Sequence, residues 1–573
     1  MRRPCRQALL AIIGLGLAAC TLASPVPSQP AAAGPQPVPG GSRTLVAVVR
    51  VEPESAALRP IQGGRFEGFG FTRRLFNAEL ALFDERLIPH PYLSVALPQL
   101  NSETWRVFPD GQMETTWRLR PGVVWHDGVP LSAQDFVFAW RVYAAPEFGV
   151  ASTAPFPAIH EVVAADDRTL VIRWRQLYAD AASLTGTRAI RVLPRHLLEL
   201  SFQEASPDAF ANAAYWTREY IGLGPYRLDR WEPGSFLEAG AFDQHVLGRP
   251  KMGRIQVRFI SEVNTALANI LAGEVHFVDT AIGLEQAWTL QREWEPRGAG
   301  SVFFQPNLWR GPAFQLRPEF ATPRSILDVR VRKALAHAVD KQSITDSIYQ
   351  GVMAVADFMI SPTSARWGSA VASGVVKYPY DLRRSEQLMN EAGFVKGSDG
   401  LFASPTEGRF ASELKTAASP QWEGEVLIMA SDWRKAGFDV QSAVLPRALS
   451  TDPESRVTFP GMFTSSQSLG DQTMVVYTTA QIPRAENRWR GGNNRGGWSN
   501  PEYDQFANAF SMTLEPSERA QQVTQMARIF TDELPVISLM FVTQPYAYVA
   551  ALRGIMPVAE SDLTWNIHEW ELQ

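Results

Sequence analysis

The chain has 573 residues, 45% of them hydrophobic and 20% charged, which is the balance of folded, soluble material and too long for one ordinary core. Two or three packed units are expected. With a formal net charge of -5 there is no broad basic surface for nucleic acid, so a nucleic-acid partner is not expected.

At the N-terminus a basic head, MRRPCRQ, precedes the 12-residue apolar run ALLAIIGLGLAA and then Cys20. A membrane span needs roughly 20 apolar residues, so the run suits the core of a signal peptide over residues 1–19, and no later segment is long enough to replace it. Leu17-Ala18-Ala19-Cys20 resembles the bacterial lipobox, in which the cysteine is acylated and becomes the first mature residue. The other reading is an ordinary cleavage site with an incidental cysteine. Cys5, the only other cysteine, would leave with the leader, so Cys20 would have no disulfide partner. Arg2, Arg3 and Arg6 would leave too, taking the net charge to -8. A lipidated Cys20 would hold the protein outside the cytoplasm on a membrane surface, without indicating which membrane. Residues 21–42, TLASPVPSQPAAAGPQPVPGGS, carry six prolines and no charge, so residues 20–42 read as a semi-extended tether and the folded part begins near Arg43.

Next comes TLVAVVRVE (residues 44–52), an apolar β-prone run suited to a buried opening strand. Aromatics at Phe69, Phe71 and Phe76 then approach an early turn or short helix. In METTWRLRP, Met113, Thr115, Trp117 and Leu119 alternate with polar residues, which predicts a half-buried strand ended by Pro121-Gly122. After Val123-Val124-Trp125, the HDG sequence predicts a turn. Ser132 and Asp135 have the spacing of a capping box, so a helix is predicted from Ala133 with Phe136, Val137, Trp140, Val142 and Tyr143 on its apolar face.

ETTWRLRPGVVWHDGVPLSAQDFVFAW closely resembles the signature of the family 5 solute-binding proteins of ABC importers, the group of oligopeptide, dipeptide and nickel-complex receptors. Further stretches follow in the family's order: IGLGPYRLDRWEPGS, ISEVNTALANILAGEVHFVD, SILDVRVRKALAHAVDKQSI, YPYDLRRSEQLMNEAGF, WSNPEYDQF and ELPVISL. Ser385 stands where alanine is usual. Residues 44–541 are covered, and seven motifs in one order leave little room for coincidence. The resemblance implies an α/β fold of two lobes around a cleft, of the periplasmic-binding-protein type, with an extra subdomain inserted in the first lobe. It places lobe I at residues 43–305 with the insertion at about 88–218, lobe II at 306–542, and a return to lobe I at 543–573. The crossovers are expected near residues 302–308 and 541–550, where apolar runs occur.

Chemistry is mostly absent. Neighbours in sequence tend to point apart, so His126-Asp127 is read as a turn rather than an acid–base pair. Ser412 and Lys415 spell S-x-x-K, but no K-T-G strand follows, and there is no G-x-S-x-G, H-E-x-x-H, Walker loop or metal-spaced Cys/His group. No catalytic residue, metal site or cofactor is expected, and a secreted serine hydrolase remains only an alternative. Arg330, Arg332 and Lys333 read as a solvated helix face, and Gly222-Leu223-Gly224-Pro225 as backbone geometry.

Ligand contacts are sought instead in residues 465–504, an unusual segment in which Arg484, Asn487, Trp489, Asn493, Arg495 and Trp498 are interleaved with glycines, after Tyr477. Trp, Asn and Arg together supply flat apolar contact, amide bonding and anion pairing. A solvated basic loop packed by structural tryptophans is the competing reading. The resemblance makes Asp471 a candidate partner for a peptide's α-amino group and turns Phe69 and Phe71 toward the cleft, although DQTMVV replaces the family's usual Asp-Pro context. It implies a peptide or small polar solute as ligand, an ABC permease as partner with the ATPase reached only through it, a monomer, and an extracytoplasmic address. A surface sensor or chaperone-like protein on the same scaffold is the other binding alternative.

Overall fold

The computed structural model describes residues 44–573 apart from 58, 60–68, 149, 153, 447–448, 450–451, 488, 490–491 and 558–562. The leader, Cys20 and the tether lie outside the described residues, as do the side chains of Phe69 and Asn487.

Apolar, β-branched runs build one ten-stranded sheet. From edge to edge its order is Asp439–Leu445, Ala411–Ala417, Met462–Ser468, Gly300–Phe314, Met540–Val549, Phe277–Asp279, Thr44–Val49, Arg254–Phe259, Phe236–Ala241 and Tyr226–Glu232. The first three belong to one lobe and the last five to the other. Gly300–Phe314 and Met540–Val549 connect them, pairing antiparallel from Gly300 opposite Val549 to Arg310 opposite Met540. Leu308–Phe314 also pairs with Met462–Ser468 in the second lobe, whereas Tyr546–Tyr548 pairs with Phe277–Asp279 in the first. Between Pro306 and Leu308 the register shifts. Proline offers no N–H to the ladder, so pairing lapses where one lobe gives way to the other.

Inserted in the first lobe is an antiparallel four-stranded sheet ordered Trp105–Val107, Met113–Arg118, Thr169–Trp174, Ile159–Asp166. The alternation in METTWR turns Met113, Thr115 and Trp117 inward. Trp117, Trp174 and Phe136 join Leu45 and Phe71 in one core, so the insertion is fused to its lobe rather than hinged on it. The second lobe has cores of its own, a large one with Trp433, another with Trp309, Trp498 and Phe530, and a small cluster of Leu445, Phe459 and Phe463.

Helix Ala133–Tyr143 starts where the capping signal predicts. Its working bond comes from Asp135, whose carboxylate accepts from the Ser132 backbone N–H at 2.9 Å. Asp135 also accepts from the Arg195 N–H at 3.0 Å, so its side chain ties two helix starts together. Asp135→Ala is therefore expected to lower stability by about 1–2 kcal/mol and Ser132→Ala by less, as read by urea unfolding. Equal losses would contradict this assignment.

His126 and Asp127 point to different partners. The buried His126 ring accepts from the Gly222 N–H through Nδ1 at 3.2 Å and contacts the Gly224 carbonyl through Nε2 at 3.0 Å. Asp127 meets His196 at 2.8 Å. Burial lowers the His126 pKa to about 4, so it stays neutral and its Nε2–H donates to Gly224. The glycines are required by packing, since a Cβ on Gly222 would lie 2.1 Å from the Phe76 carbonyl oxygen and one on Gly224 would lie 2.3 Å from that of Leu75. Gly224→Ala is expected to cost a few kcal/mol through overpacking, measured as a fall in melting temperature.

Candidate functional site

The FTRRLF sequence ends helix Phe69–Phe76 with two arginines beside the helix C-terminus, where the dipole favours cations. Glu79 lies just beyond. It pairs with Arg73 at 2.8 Å and Arg74 at 3.1 Å, while Arg191 lies at 3.9 Å. Thr185 Oγ1 and the Gly186 N–H also donate to it, at 2.7 and 3.0 Å. Burial alone would raise the Glu79 pKa, but three guanidiniums outweigh it and hold the carboxyl well below the usual range.

This cluster forms one wall of a cavity of about 430 Å³ between the lobes, within the range of a small-solute site. The first lobe contributes Arg73, Arg74, Phe83, Leu87, Thr185, Gly186 and Arg188. Gln305, Pro306, Asn307 and Tyr546 come from the connecting strands, at the register break. The second lobe supplies Arg366, Trp367 and Ser468–Gln472, the last of these being the end of strand Met462–Ser468 and the turn after it. A hollow of about 510 Å³ at Trp140, Arg141, Phe156, Arg175 and Phe202 belongs wholly to the insertion, so it cannot couple a ligand to lobe closure.

At the cavity the lobes are joined by a closed ring of alternating charge. Asp180 meets Arg188 at 3.3 Å, Arg188 meets Asp471 at 2.7 Å, Asp471 meets Arg366 at 3.3 Å, and Arg366 returns to Asp180 at 2.9 Å. Arg519 adds a further contact to Asp180 at 3.2 Å, its guanidinium lying 4.2 Å from the Phe510 ring centre and 5.3 Å from that of Trp367. Trp367 Nε1 donates to Asp471 at 3.1 Å. Since Asp180 and Arg188 sit on the first lobe, three of these ion pairs cross the interface. Burial pushes both carboxyl pKa values up, but the facing arginines more than offset it, leaving Asp180 and Asp471 below the ordinary carboxylate value. For Arg188 burial acts to lower the pKa and the two carboxylates reverse it, so its charge is secure.

Of the residues sought from sequence whose side chains are described, only Asp471 lines this cavity. Phe71 is corrected to a core position: it is 1% exposed and stacks on Phe277 at 5.5 Å, because the helix turns that face onto the sheet. The Trp- and Asn-rich loop is corrected too. Tyr477 and Trp498 are buried against Phe530, at 4.9 and 5.5 Å between ring centres, and Trp498 Nε1 donates to Glu533 at 2.6 Å. Trp489 lies edge-on to Phe320, 6.0 Å between centres. Arg495 contacts Asn493 at 3.2 Å, its pKa lowered by burial to about 10, and Arg484 and Asn493 are exposed. Amphipathic Trp and Arg serve packing as well as binding, so composition could not say which surface the loop covers.

Sequence reading missed Arg73, Arg74, Asp180, Arg188, Arg366 and Tyr546. The Arg73-Arg74 doublet inside an otherwise apolar helix was the available signal. Nothing local marks Asp180 or Arg188 as cavity residues: they pair with each other at 3.3 Å, but their other partners, Asp471, Arg366 and Arg519, lie hundreds of residues away. Ser412 and Lys415 fall on opposite faces of strand Ala411–Ala417, Lys415 pairing with Glu413 at 3.0 Å, so they form no dyad. Among the described residues no helix is long and apolar enough to cross a membrane, and no group of three His, Cys, Asp or Glu residues is placed to hold a metal.

Two lobes on a shared sheet, closing over a cavity that both line, define a solute-binding protein. Residues 96–480 match the family model described as bacterial extracellular solute-binding proteins, family 5 Middle. The chain belongs to this family; it is an extracytoplasmic binding protein and not an enzyme. Among relatives, it is 21% identical over 477 residues to the oligopeptide-binding protein AppA of Bacillus subtilis, covering 81% of each chain. Its fold is similar to that of an oligopeptide ABC transporter periplasmic binding protein from Thermotoga maritima, with a TM-score of 0.76, 17% identity and coverage of 93% and 99% of the two chains. NikZ of Campylobacter jejuni, solved with Ni(L-His), gives a TM-score of 0.72, 23% identity and coverage of 92% and 99%.

Proposed function

We propose that the protein is the lipid-anchored receptor of an ABC importer, capturing a peptide or similar small polar solute between its lobes and delivering it to the permease. The observation that carries this reading is the cavity at the register break, walled by both lobes and by the strands joining them. A solute there touches both lobes at once and so binds the closed form better than the open one. Shifting a population from 1:99 to 99:1 closed takes about 5.5 kcal/mol of such differential affinity, within reach of a few desolvated aromatic and charged contacts. The permease would then read the closed form, with ATP hydrolysis left to its partner subunits.

In this reading residues 1–19 are the leader, Cys20 carries the lipid and residues 20–42 are the tether of a monomeric receptor. Lobe I spans 43–305 and the return from 543, and lobe II spans 306–542. The names of several relatives, which are peptide-binding proteins, favour a peptide over other solutes. Mass spectrometry of the small molecule released on denaturing the purified protein tests the assignment directly. A released peptide, or a rise in melting temperature with a peptide pool, is expected; neither appearing would count against it. Detergent-phase partitioning that survives Cys20→Ala would remove the anchor from the proposal.

A further inference from the structure

The second lobe gathers positive charge at a place away from the cavity. Arg317 follows strand Gly300–Phe314 and is 8% exposed. Its guanidinium ties three segments together, Nη1 donating to the Pro483 carbonyl at 3.2 Å and Nη2 to the carbonyls of Arg495 and, at 2.9 Å, of Val457. Arg495 and Arg456, the neighbour of Val457, are thereby held beside it. None of the three lines the cavity between the lobes. The Trp- and Asn-rich loop closes tightly over this point, since a Cβ on Gly497 would lie 2.5 Å from Arg317 Cγ.

The cluster lacks a counter-charge. Among the described residues no carboxylate forms an ion pair with Arg317, Arg456 or Arg495, whereas the buried Arg188, Arg310 and Arg519 each have one. Between positions 447 and 491 the residues outside those described include Arg447, Arg488 and Arg490 and no Asp or Glu, so that stretch of sequence supplies none either. Donors are left over as well: Arg317 Nε and Arg495 Nη1 are buried without a partner among the described residues. Arg495 Nη2 reaches only the neutral Asn493 amide, at 3.2 Å. Burial lowers the pKa of all three arginines, and for Arg495 the charge of Arg456 acts in the same direction, bringing it to about 10. Desolvated guanidiniums that repel one another destabilise a fold unless an anion neutralises them.

The backbone is strained at the same place. Trp489 has a φ of 58°, in the left-handed region that a bulky side chain rarely enters. Its ring centre lies 6.0 Å from the Arg317 guanidinium and that of Phe320 lies 5.5 Å from it, so two aromatic rings hold the planar fork in position.

We propose that Arg317, Arg456 and Arg495 form a second binding site, for a tetrahedral oxyanion such as phosphate or sulfate, separate from the solute cleft. Guanidiniums suit such an ion because each presents paired N–H donors to two of its oxygens. A free ion and the phosphate of a lipid headgroup offer the same oxygens. The site does not depend on which solute the cleft carries.

The test uses the full mature chain with Cys20→Ala, so that an anchor does not bring it to lipid. Melting temperature is followed against sodium phosphate and sodium sulfate, with sodium chloride at equal ionic strength as the reference. A rise that saturates with phosphate is expected, with affinity about ten-fold or more weaker in Arg456→Gln and in Arg495→Gln. Arg456→Gln should also melt above the parent chain in chloride, having lost a desolvated charge, so loss of the phosphate response in it is not loss of the fold. Co-sedimentation with phosphatidylcholine vesicles, with and without phosphatidic acid, separates the two sources. Binding only to the phosphatidic acid vesicles, abolished in both variants and without any effect of free phosphate, assigns the site to a headgroup. A response that follows ionic strength alone, one that both variants retain, or none to phosphate, sulfate and phosphatidic acid overturns the inference.

Discussion

Replacing Asp180 by asparagine is expected to open the lobes and lower the stability of the closed form by about 3–5 kcal/mol, the usual cost of leaving buried charges uncompensated. Among the described residues Asp180 alone meets Arg188, Arg366 and Arg519 together, at 3.3, 2.9 and 3.2 Å, and its side chain is only 9% exposed. Without its charge, three guanidiniums share the single carboxylate of Asp471. Asparagine keeps the shape, so the effect reports charge and not a cavity. The radius of gyration from small-angle scattering should rise and the melting temperature fall; no change in either would show that the ring does not hold the lobes. The pH dependence follows from the same contacts. Because the folded pKa values of Asp180 and Asp471 are depressed, their contribution is present above the unfolded carboxylate value and is lost as pH falls through the folded values. Mild acid should therefore leave the ring intact.

Asp279 works in the opposite sense. It ends strand Phe277–Asp279, opposite Tyr546 on the returning strand, and is 7% exposed. Among the described residues its carboxylate has no hydrogen-bond donor or cation, and burial raises its pKa from 3.8 to about 7. The folded state thus holds a proton that the unfolded state has released, and stability falls as pH rises between those two values. At about 1.4 kcal/mol per pH unit, the penalty approaches roughly 4 kcal/mol once Asp279 is ionised in both states. Asp279→Asn should remove it: urea unfolding of the variant and the natural chain should differ little at about pH 4 and by several kcal/mol in favour of the variant at about pH 8. A difference independent of pH would refute the assignment. Tyr546 lines the cavity beside Asp279, and the neighbouring carboxyl, after burial itself, raises the phenol's pKa. Ionisation of Asp279 is thus felt at the strand that joins the lobes.

Local signals in the sequence were reliable where neighbours in the chain are neighbours in space. The alternation from Met113, the turn at Gly128 and the helix start at Ala133 depend on residues within a few positions of one another, and each appears in the structure where its residue types require it. The order of such units was enough to indicate the family. Ligand contacts were a different matter. Phe71 and Trp498 have the chemistry of binding residues, yet the faces they present are buried against Phe277 and Phe530. Arg188 and Arg366 look like ordinary surface cations until the fold sets each of them against Asp180 and Asp471.

Sequence by itself determined the strands, turns and capped helices, the two-lobed class and the absence of a hydrolytic motif, because periodicity, capping and turn chemistry act over short stretches. Only the tertiary structure decided where the charges meet. Asp180 and Asp471 lie nearly three hundred residues apart, and the free energy that brings them onto one pair of arginines comes from closing two lobes about strands Gly300–Phe314 and Met540–Val549. Long-range ion pairing of this kind depends on distance and burial, which no local pattern encodes.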